Sequence, residues 1–408
     1  MKIASKKLRQ LTSAVVLTLS AVGVWAQAPG APVKIGVLTD MSSLFADIGG
    51  QGSAVALRMA VEDFGGKVLG MPIEVLQADH QNKADIAANK AREWFDVQGV
   101  DMVTDLLPSS VALAVSDVGR QKNKVVIVNG GGTSRLTSEA CSPNTIHYTY
   151  DTYALSTNTV NALMAQGQDS WFFLTVDYAL GHSLEADAMA AVKARGGKIA
   201  GGVRHPINSS DLASYLLQAQ GSKAKVIALA DAGGDFTNAV KQADQFGLRK
   251  SGKQTLAGLH VFISDIHSLG LEQAQGMVLT TGFYWNQNDA TRKWARRFFE
   301  KTKRMPTMVH AGVYSSTMHY LNAVKAAGSK APQAVLAKMR ETPINDFFAT
   351  NGRILPNGRM VHDMLLVEVK KPSESKEPWD YYTVKAVIPG ASAFMPLEKT
   401  NCKLQATN

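Results

Sequence analysis

The sequence contains only two cysteines, Cys141 and Cys402, in 408 residues. Two thiols exclude a disulfide-dense scaffold, and they exclude any zinc or iron–sulfur centre that needs four thiolate ligands. Charged residues account for 19% of the chain and hydrophobic residues for 45%, which excludes a disordered protein and indicates ordinary globular domains. A chain of this length favours two or three domains, or one molecule with two lobes.

Long hydrophobic runs are also absent, apart from Leu11–Val24 near the amino end. Four basic residues and no acidic residue precede this run, and the small-x-small triplet Ala26-Gln27-Ala28 follows it. This order is typical of a secretory signal peptide, and about 14 residues are too few to cross a bilayer comfortably. We therefore predict that residues 1–28 are a cleaved signal peptide and that the mature protein is exported. A membrane anchor and a buried helix are the alternatives.

Export makes a disulfide between the two cysteines possible, because thiols can pair in an oxidising compartment. Cys141 lies in a predicted loop, and Cys402 lies six residues from the end of the sequence. A bond between them would tie the tail of the chain to its body. Two free buried thiols are the alternative, and we favour the disulfide.

The mature chain is expected to carry little net charge. The formal charge of the full sequence is +9, and removal of the four basic residues in the leader reduces it to +5. A net positive charge this small is not typical of a nucleic-acid-binding protein. We expect no nucleic-acid partner, and the basic residues between Arg296 and Arg304 are typical of a solvated helix face.

The common motifs of catalysis are missing as well. The sequence has no Gly-x-Ser-x-Gly elbow, no His-Glu-x-x-His pair and no Gly-x-Gly-x-x-Gly after a predicted strand. Gly247–Lys253 matches a phosphate loop in part, but Gln254 replaces the magnesium-binding hydroxyl and a helix precedes the segment instead of a strand. We therefore expect no catalytic residues, no cofactor and no metal site. An enzyme with its active site in a cleft between two lobes is the alternative.

What the sequence does contain is a regular alternation of strand and helix patterns. Short β-type runs alternate with helical apolar spacing from Val33 to Val128, and the same pattern starts again near residue 153 and ends with a predicted strand at Val261–Ile263. Strands that alternate with helices form parallel sheets with helices on both faces. The predicted fold class is therefore α/β, with two Rossmann-like lobes in series.

Ligands of open parallel sheets bind beyond the carboxyl ends of the strands. In the predicted loops there, Ser109 and Ser110 precede a helix, where hydroxyls either cap the helix or hold a carboxylate. Gly130-Gly131-Gly132 either forms a flexible turn or lets a ligand approach the backbone. An acid such as Asp231 can pair with a ligand ammonium or face water. The aromatic run Phe283-Tyr284-Trp285 can line a ligand or simply pack.

Several motifs in order carry a resemblance to a known family. They are the opening strand with its following glycine and helix, a serine-rich loop, a glycine–threonine loop, an aspartate–tyrosine loop, and a histidine-led helix: Val33–Thr39 with Gly49, Leu107–Ser110, Gly131–Thr137, Asp177–Gly181 and His310–Tyr314. With them, the sequence resembles the periplasmic binding proteins of the branched-chain amino-acid-binding (Leu/Ile/Val-binding, type I) family, which serve ABC transporters. The resemblance covers roughly residues 33–390.

The resemblance implies two lobes joined by three crossovers, near residues 150, 283 and 346. The N-terminal lobe would comprise 29–150 and 283–346, and the C-terminal lobe 151–282 and 347–408. Members of this family close their lobes around one ligand and present it to a membrane permease. We therefore expect a monomer whose partners are a small-molecule carboxylate and an inner-membrane ABC permease.

The family also implies which residues touch the ligand. In its amino-acid binders, the serine-rich loop and the next loop hold the ligand carboxylate and ammonium, and the second lobe adds an aromatic side chain and an acid. The candidate ligand-binding residues here are Phe45, Pro108, Ser109, Ser110, Gly131, Gly132, Thr133, Tyr153, Tyr178, Asp231, Ala232, Asp265 and Tyr284.

Three departures from the family pattern bear on the ligand. The three consecutive glycines open space, and Ala232 stands about where the amino-acid binders carry an aromatic side chain. Asp265 is offset by one residue from the acid that the family pattern leads us to expect. We therefore rank a small carboxylate, with aromatic acids included, above a branched-chain amino acid. A ligand sensor for a signalling partner is a further alternative, since the same fold serves as a binding module in receptors.

Overall fold

The computed structural model describes Met1, residues 30–248, Gly252 and residues 254–404. Apart from Met1, the predicted signal peptide at residues 1–28 lies outside the described residues. Within those residues, no helix combines the length and the apolar character that a membrane crossing requires.

The first sheet contains six strands in the order β2-β3-β1-β4-β5-β6. All neighbours pair in parallel except β2 and β3, which are antiparallel. The residues of β4, β5 and β6 are all buried, as expected for strands that helices cover on both faces. The strands are β1 Val33–Thr39, β2 Lys67–Val68, β3 Met71–Asp79, β4 Met102–Asp105, β5 Val125–Val128 and β6 Thr145–His147.

Helices cover both faces of this sheet. The buried residues of α2 recur at helical spacing, and Trp94 lies so close to Gly36 of β1 that a Cβ on Gly36 would stand 2.3 Å from the indole ring. On the other face, α1 packs against α10 and α11. We call this sheet and its helices the first lobe. The helices are α1 Gly50–Phe64, α2 Ala84–Asp96, α3 Ser109–Lys122, α10 Asp289–Thr302, α11 Met308–Ala327 and α12 Pro332–Glu341.

A second parallel sheet has the order β10-β9-β7-β8. We call this sheet, its helices and the antiparallel sheet β11-β14-β15 beside them the second lobe. Its helices are α4 Thr152–Ala165, α5 Ala179–Ala194, α6 Ala213–Gly221, α7 Gly233–Gln245, α8 Ile263–Leu269 and α9 Leu271–Ala274. Its strands are β7 Ser170–Val176, β8 Lys198–His205, β9 Val226–Ala230, β10 Thr255–Gly258, β11 Val278–Thr281, β14 Met364–Val369 and β15 Tyr382–Ile388.

Short elements complete the chain. They are the strands β12 Arg353–Ile354 and β13 Met360–Val361, the helix α13 Gly390–Ala393, and three 3₁₀ turns at Ser134–Thr137, Pro372–Glu374 and Leu397–Lys399. The strand that was predicted at Val261–Ile263 is wrong. The last strand of the second sheet ends earlier, at Gly258, and Ile263 begins α8.

The residues that follow position 346, where the third crossover is predicted, lie against the first lobe. Residues 347–361 keep contact with the first lobe: Phe348 stacks on Tyr148 with 6.0 Å between ring centroids, and the segment bridges to the end of β6. We therefore propose a later third crossover, between β13 and β14.

The buried guanidinium of Arg359 links this segment to the first crossover. It donates hydrogen bonds to the backbone oxygens of Tyr150 and Met360, both at 2.9 Å, and lies 3.5 Å from the Asp151 carboxylate. Burial lowers the pKa of Arg359 to about 10, so the guanidinium remains charged at neutral pH.

The C-terminal tail returns to the first lobe. A disulfide joins Cys141 to Cys402 across a sequence separation of 261 residues, so the structure has the favoured bond and not two free thiols. Next to it, the backbone N–H of Asn401 donates to Ser138 Oγ at 3.0 Å. The tail is therefore held covalently to a loop of the first lobe.

Candidate ligand-binding site

The loop after β4 begins α3 at the carboxyl edge of the first sheet. Asp105 and Leu106 have left-handed backbones, with φ of 83° and 66°, which turn the chain sharply before the helix. Pro108 is the N-cap residue, and no side chain caps α3. Ser109 is therefore the first residue of the helix and not its cap, and half-buried Ser110 follows it. The first amide groups of α3 are available to an anion.

The hydroxyl of Ser109 has a fixed neighbour in the next loop. Its Oγ accepts a hydrogen bond from the backbone N–H of Thr133 at 3.1 Å. A serine hydroxyl has one proton and two lone pairs, so Ser109 can still donate to a second partner. Ser109 is 1% exposed.

The glycine loop after β5 is held tightly at several points. His147 donates through Nε2 to the backbone oxygen of Gly131 at 2.7 Å, and the Tyr150 hydroxyl donates to that of Gly130 at 2.5 Å. A Cβ on Gly131 would stand 2.4 Å from the Cβ of Ala112. The glycines therefore permit close packing, and the loop is not a loose turn.

Two polar candidates of the second lobe lie at its facing edge. Asp231 directly follows β9, and Tyr178 is the N-cap residue of α5. In the described part of the chain, the Asp231 carboxylate and the Tyr178 hydroxyl are buried without a hydrogen-bond partner. Burial, together with the negative charges of Asp235 and Asp265, raises the pKa of Asp231 well above its usual range.

Polar side chains join a loop of the first lobe to a helix of the second. Ser183 and Asp187 are four residues apart on α5 and therefore lie on the same helix face. Ser183 Oγ lies 2.7 Å from Thr133 Oγ1, and the Asp187 carboxylate accepts from Ser134 Oγ at 3.0 Å. The two contacts join the glycine loop of the first lobe to α5 of the second.

An apolar contact between the lobes lies beside the polar one. The loop after β1 is held by Asp40, whose carboxylate accepts from the Phe45 backbone N–H at 3.0 Å. The Phe45 ring lies 6.5 Å from the Tyr178 ring, and a Cβ on Gly234 would stand 2.7 Å from Leu44 Cδ1. The lobes are therefore closed on each other at this edge. Ala232, the buried N-cap residue of α7, precedes Gly233 and Gly234.

Three other candidates have different surroundings. The Asp265 carboxylate accepts from the Phe262 backbone N–H at 2.8 Å and caps α8, and burial raises the pKa of Asp265 to about 7. Tyr284 donates its hydroxyl to Asp380 at 3.0 Å, within a packed aromatic cluster. Tyr153 is half-buried in the first turn of α4. The contacts of the first two favour structural roles.

His260 is a residue of this edge that the sequence reasoning missed. It lies two residues after β10, and its Nε2 is 3.0 Å from the Tyr150 hydroxyl oxygen. Its ring packs edge-to-face against Phe262 at 4.8 Å. The position of His260 after a strand was a usable signal, but the misplaced strand at 261–263 concealed it. Elsewhere, the described residues include no group of three or more His, Cys, Asp or Glu side chains suited to a metal ion.

Two α/β lobes that face each other through polar loops define a class of solute-binding protein, and comparison with known proteins gives the same result. Residues 32–376 match the family model described as periplasmic binding protein. A periplasmic binding protein from Burkholderia mallei is 54% identical, with a TM-score of 0.90 over 92% of this chain and 99% of that one.

A second crystal structure is a branched-chain amino acid ABC transporter periplasmic ligand-binding protein from Burkholderia xenovorans. It is 40% identical, with a TM-score of 0.83 over 91% of this chain and 99% of that one. A Leu/Ile/Val-binding protein homologue from Brucella melitensis is 28% identical over 298 residues, or 72% of this chain and 73% of the relative. The chain belongs to the periplasmic binding protein family, and the predicted resemblance and fold class are confirmed.

Proposed function

We propose that this protein binds a small carboxylate between its two lobes in the periplasm and, as a monomer, delivers it to an ABC permease in the inner membrane. The observation that carries the proposal is the contact between a strand-end loop of the first lobe and α5 of the second, where Thr133 Oγ1 and Ser183 Oγ are 2.7 Å apart. A ligand that touches both lobes stabilises the closed form. The 40% identical relative from Burkholderia xenovorans, a branched-chain amino acid ABC transporter periplasmic ligand-binding protein, supports the transport role.

The first lobe supplies the groups that suit the carboxylate. Ser109, Ser110 and the uncapped amide groups of α3 lie together, and the Ser109 hydroxyl retains a proton for a second hydrogen bond. Amide and hydroxyl donors at a helix N-terminus stabilise negative charge. Phe45 and Tyr178, close to each other across the lobes, suit the flat ring of an aromatic acid.

An amino acid is the second candidate, and a specific observation favours it. The Asp231 carboxylate is buried without a partner among the described residues, and an ammonium group would supply one. Pairing with a cation would also favour the ionised form of Asp231 against the effect of burial.

The test is a binding panel for the mature chain, residues 29–408, after unfolding and refolding have removed co-purified solute. Aromatic acids, branched-chain amino acids, aliphatic carboxylates and uncharged amides would be screened by thermal shift and measured by titration calorimetry. A ligand that binds only the native state raises the melting temperature by mass action. Saturable binding of carboxylates supports the proposal, and binding of uncharged amides alone contradicts it. Binding of leucine or valine without any aromatic acid selects the second candidate.

A further inference from the structure

Three buried polar groups at one edge of the second-lobe sheet have no hydrogen-bond partner among the described residues. They are Nδ1 of His260, the carboxylate of Asp231 and the hydroxyl of Tyr178. They follow the neighbouring strands β10, β9 and β7. Gly258 of β10 pairs with Leu229 of β9. His260 and Asp231 each lie two residues after this pair, so they leave the two strands at the same height along the sheet edge. Buried polar groups almost always have partners, so this cluster points to polar groups on a bound molecule.

The hydrogen bonds of His260 determine which of its ring nitrogens carries the proton. The backbone oxygen of Gly130 can only accept a hydrogen bond, so the Tyr150 hydroxyl donates its one proton to that oxygen, at 2.5 Å. The Tyr150 oxygen is therefore the acceptor in its 3.0 Å contact with His260 Nε2. It follows that Nε2 of His260 is the protonated nitrogen.

The other ring nitrogen of His260 is therefore an acceptor. Burial lowers the pKa of His260 to about 3, so the ring is neutral at physiological pH and Nδ1 has a free lone pair. Packing fixes the ring, with Phe262 edge-on at 4.8 Å and Tyr150 at 5.2 Å. A Cβ on Gly132 would lie 3.6 Å from Nε2, which places the ring beside the glycine loop of the first lobe.

We propose that Nδ1 of His260 accepts a hydrogen bond from the bound solute and thereby selects small carboxylates that also carry a hydroxyl or an amine. The inference rests on the proposed function, because it assumes a solute between the lobes with its carboxylate near Ser109. A solute without a donor leaves Nδ1 buried and unpaired, which lowers its affinity. His260 is then a specificity-determining residue of this site.

The test uses matched solutes that differ in one donor group. Leucine and 2-hydroxy-4-methylpentanoate are compared with 4-methylpentanoate, and 4-hydroxybenzoate is compared with benzoate. For the pair that the wild-type protein binds, we expect the donor-bearing solute to have a roughly tenfold higher affinity than the solute without a donor. This is the scale of one hydrogen bond. Binding of the amine or of the hydroxyl compound identifies the donor.

Two variants separate the acceptor from the packing of the ring. His260→Phe keeps an aromatic ring at this position but removes the acceptor nitrogen. The affinity ratio within the pair should therefore fall to roughly threefold or less, while the affinity for the donor-free solute changes little. His260→Gln keeps a donor for Tyr150 and an acceptor for the solute, and should retain most of the preference. An equal preference in the wild type and His260→Phe, or no preference in the wild type, overturns the proposal.

A measurement without any ligand keeps the two proposals distinguishable. Nitrogen-15 spectra of the histidine rings, assigned with His260→Phe, report which nitrogen is protonated. A proton on Nε2 with a bare Nδ1 between pH 5 and pH 8 supports the role of His260, and a proton on Nδ1 overturns it. If no carboxylate in the panel binds, the proposed function fails, and this spectrum still decides the state of His260.

Discussion

Ser134 Oγ donates a hydrogen bond to the carboxylate of Asp187 at 3.0 Å, across the boundary between the two lobes. The same carboxylate oxygen accepts from Thr152 Oγ1 at 2.7 Å, at the start of α4. Burial is the main reason that the pKa of Asp187 rises to about 7, and the negative charges of Asp151 and Glu139 add to the rise. The contact therefore joins the lobes through a carboxyl group that titrates near neutral pH.

We expect stability to fall as the pH rises from about 4 to about 7 because of Asp187. Its pKa is higher in the folded protein than in the unfolded chain, so the folded state binds the extra proton in this range and loses the advantage as the proton leaves. Asp187→Asn mimics the neutral form and removes this contribution. Urea unfolding from pH 4.5 to pH 7.5 should show wild type losing on the order of 2–3 kcal/mol relative to the variant.

The control for this experiment has the opposite sign. Asp169, paired with Lys225 at 2.9 Å, has a pKa that is lowered mainly by the hydrogen bond from that lysine. Wild type should therefore gain stability relative to Asp169→Asn as the pH rises through the acidic range. A difference between wild type and Asp187→Asn that does not change with pH would contradict the assigned pKa of Asp187.

Gly234→Phe should hold the lobes apart. A Cβ at this position would stand 2.7 Å from Leu44 Cδ1 in the other lobe, so the ring of a phenylalanine would need space that the first lobe occupies. The Leu44 side chain can turn away from a single methyl group, and Gly234→Ala should therefore bind almost as wild type does. For Gly234→Phe we expect weaker solute binding and a larger radius of gyration at saturating solute in small-angle scattering. Gly221→Phe is the matched control, since nothing lies within 4 Å of a Cβ there. Equal affinities for the two phenylalanine variants would argue against closure at Leu44.

Ser109→Ala should weaken carboxylate binding by about 1–2 kcal/mol, the scale of a hydrogen bond to a charged group. The loss would be measured by titration calorimetry with the solute identified in the panel. Ser116→Ala is the control, because Ser116 is also a buried serine of α3 but lies two turns further from the strand end. An unchanged affinity in Ser109→Ala would show that this hydroxyl does not bind the solute. Its role would then be limited to accepting the hydrogen bond from the Thr133 backbone N–H.

Loss of the disulfide should destabilise the protein without changing its binding site. The bond between Cys141 and Cys402 closes a loop across 261 residues, so its removal releases chain entropy in the unfolded state. We expect the Cys141→Ser, Cys402→Ser double variant to lose about 2–4 kcal/mol in urea unfolding. Reductant should lower the stability of wild type to that of the double variant and leave the variant unaffected. A wild type insensitive to reductant would contradict a structural role for the bond.

The sequence by itself determined the fold class and the edge of the sheets at which the proposed site lies. Apolar periodicity distinguishes helices from strands, and the alternation of the two requires parallel sheets. The carboxyl ends of parallel strands meet at one edge, so the loops with Ser109, Thr133, Tyr178 and Asp231 could be assigned to that edge without coordinates. The limits of single elements are less certain from local patterns, which is why the strand expected at Val261–Ile263 was misplaced.

Only the tertiary structure decided how the polar groups at this edge are used. Asp265 and Tyr284 looked like ligand contacts in the sequence, but one caps α8 and the other donates to Asp380, 96 residues away. His260 had no motif to mark it, yet its Nε2 contacts Tyr150, 110 residues earlier, while Nδ1 finds no partner in the described structure. Each group's partners come from distant parts of the chain, so only the folded structure shows which buried groups are left without a partner among the described residues.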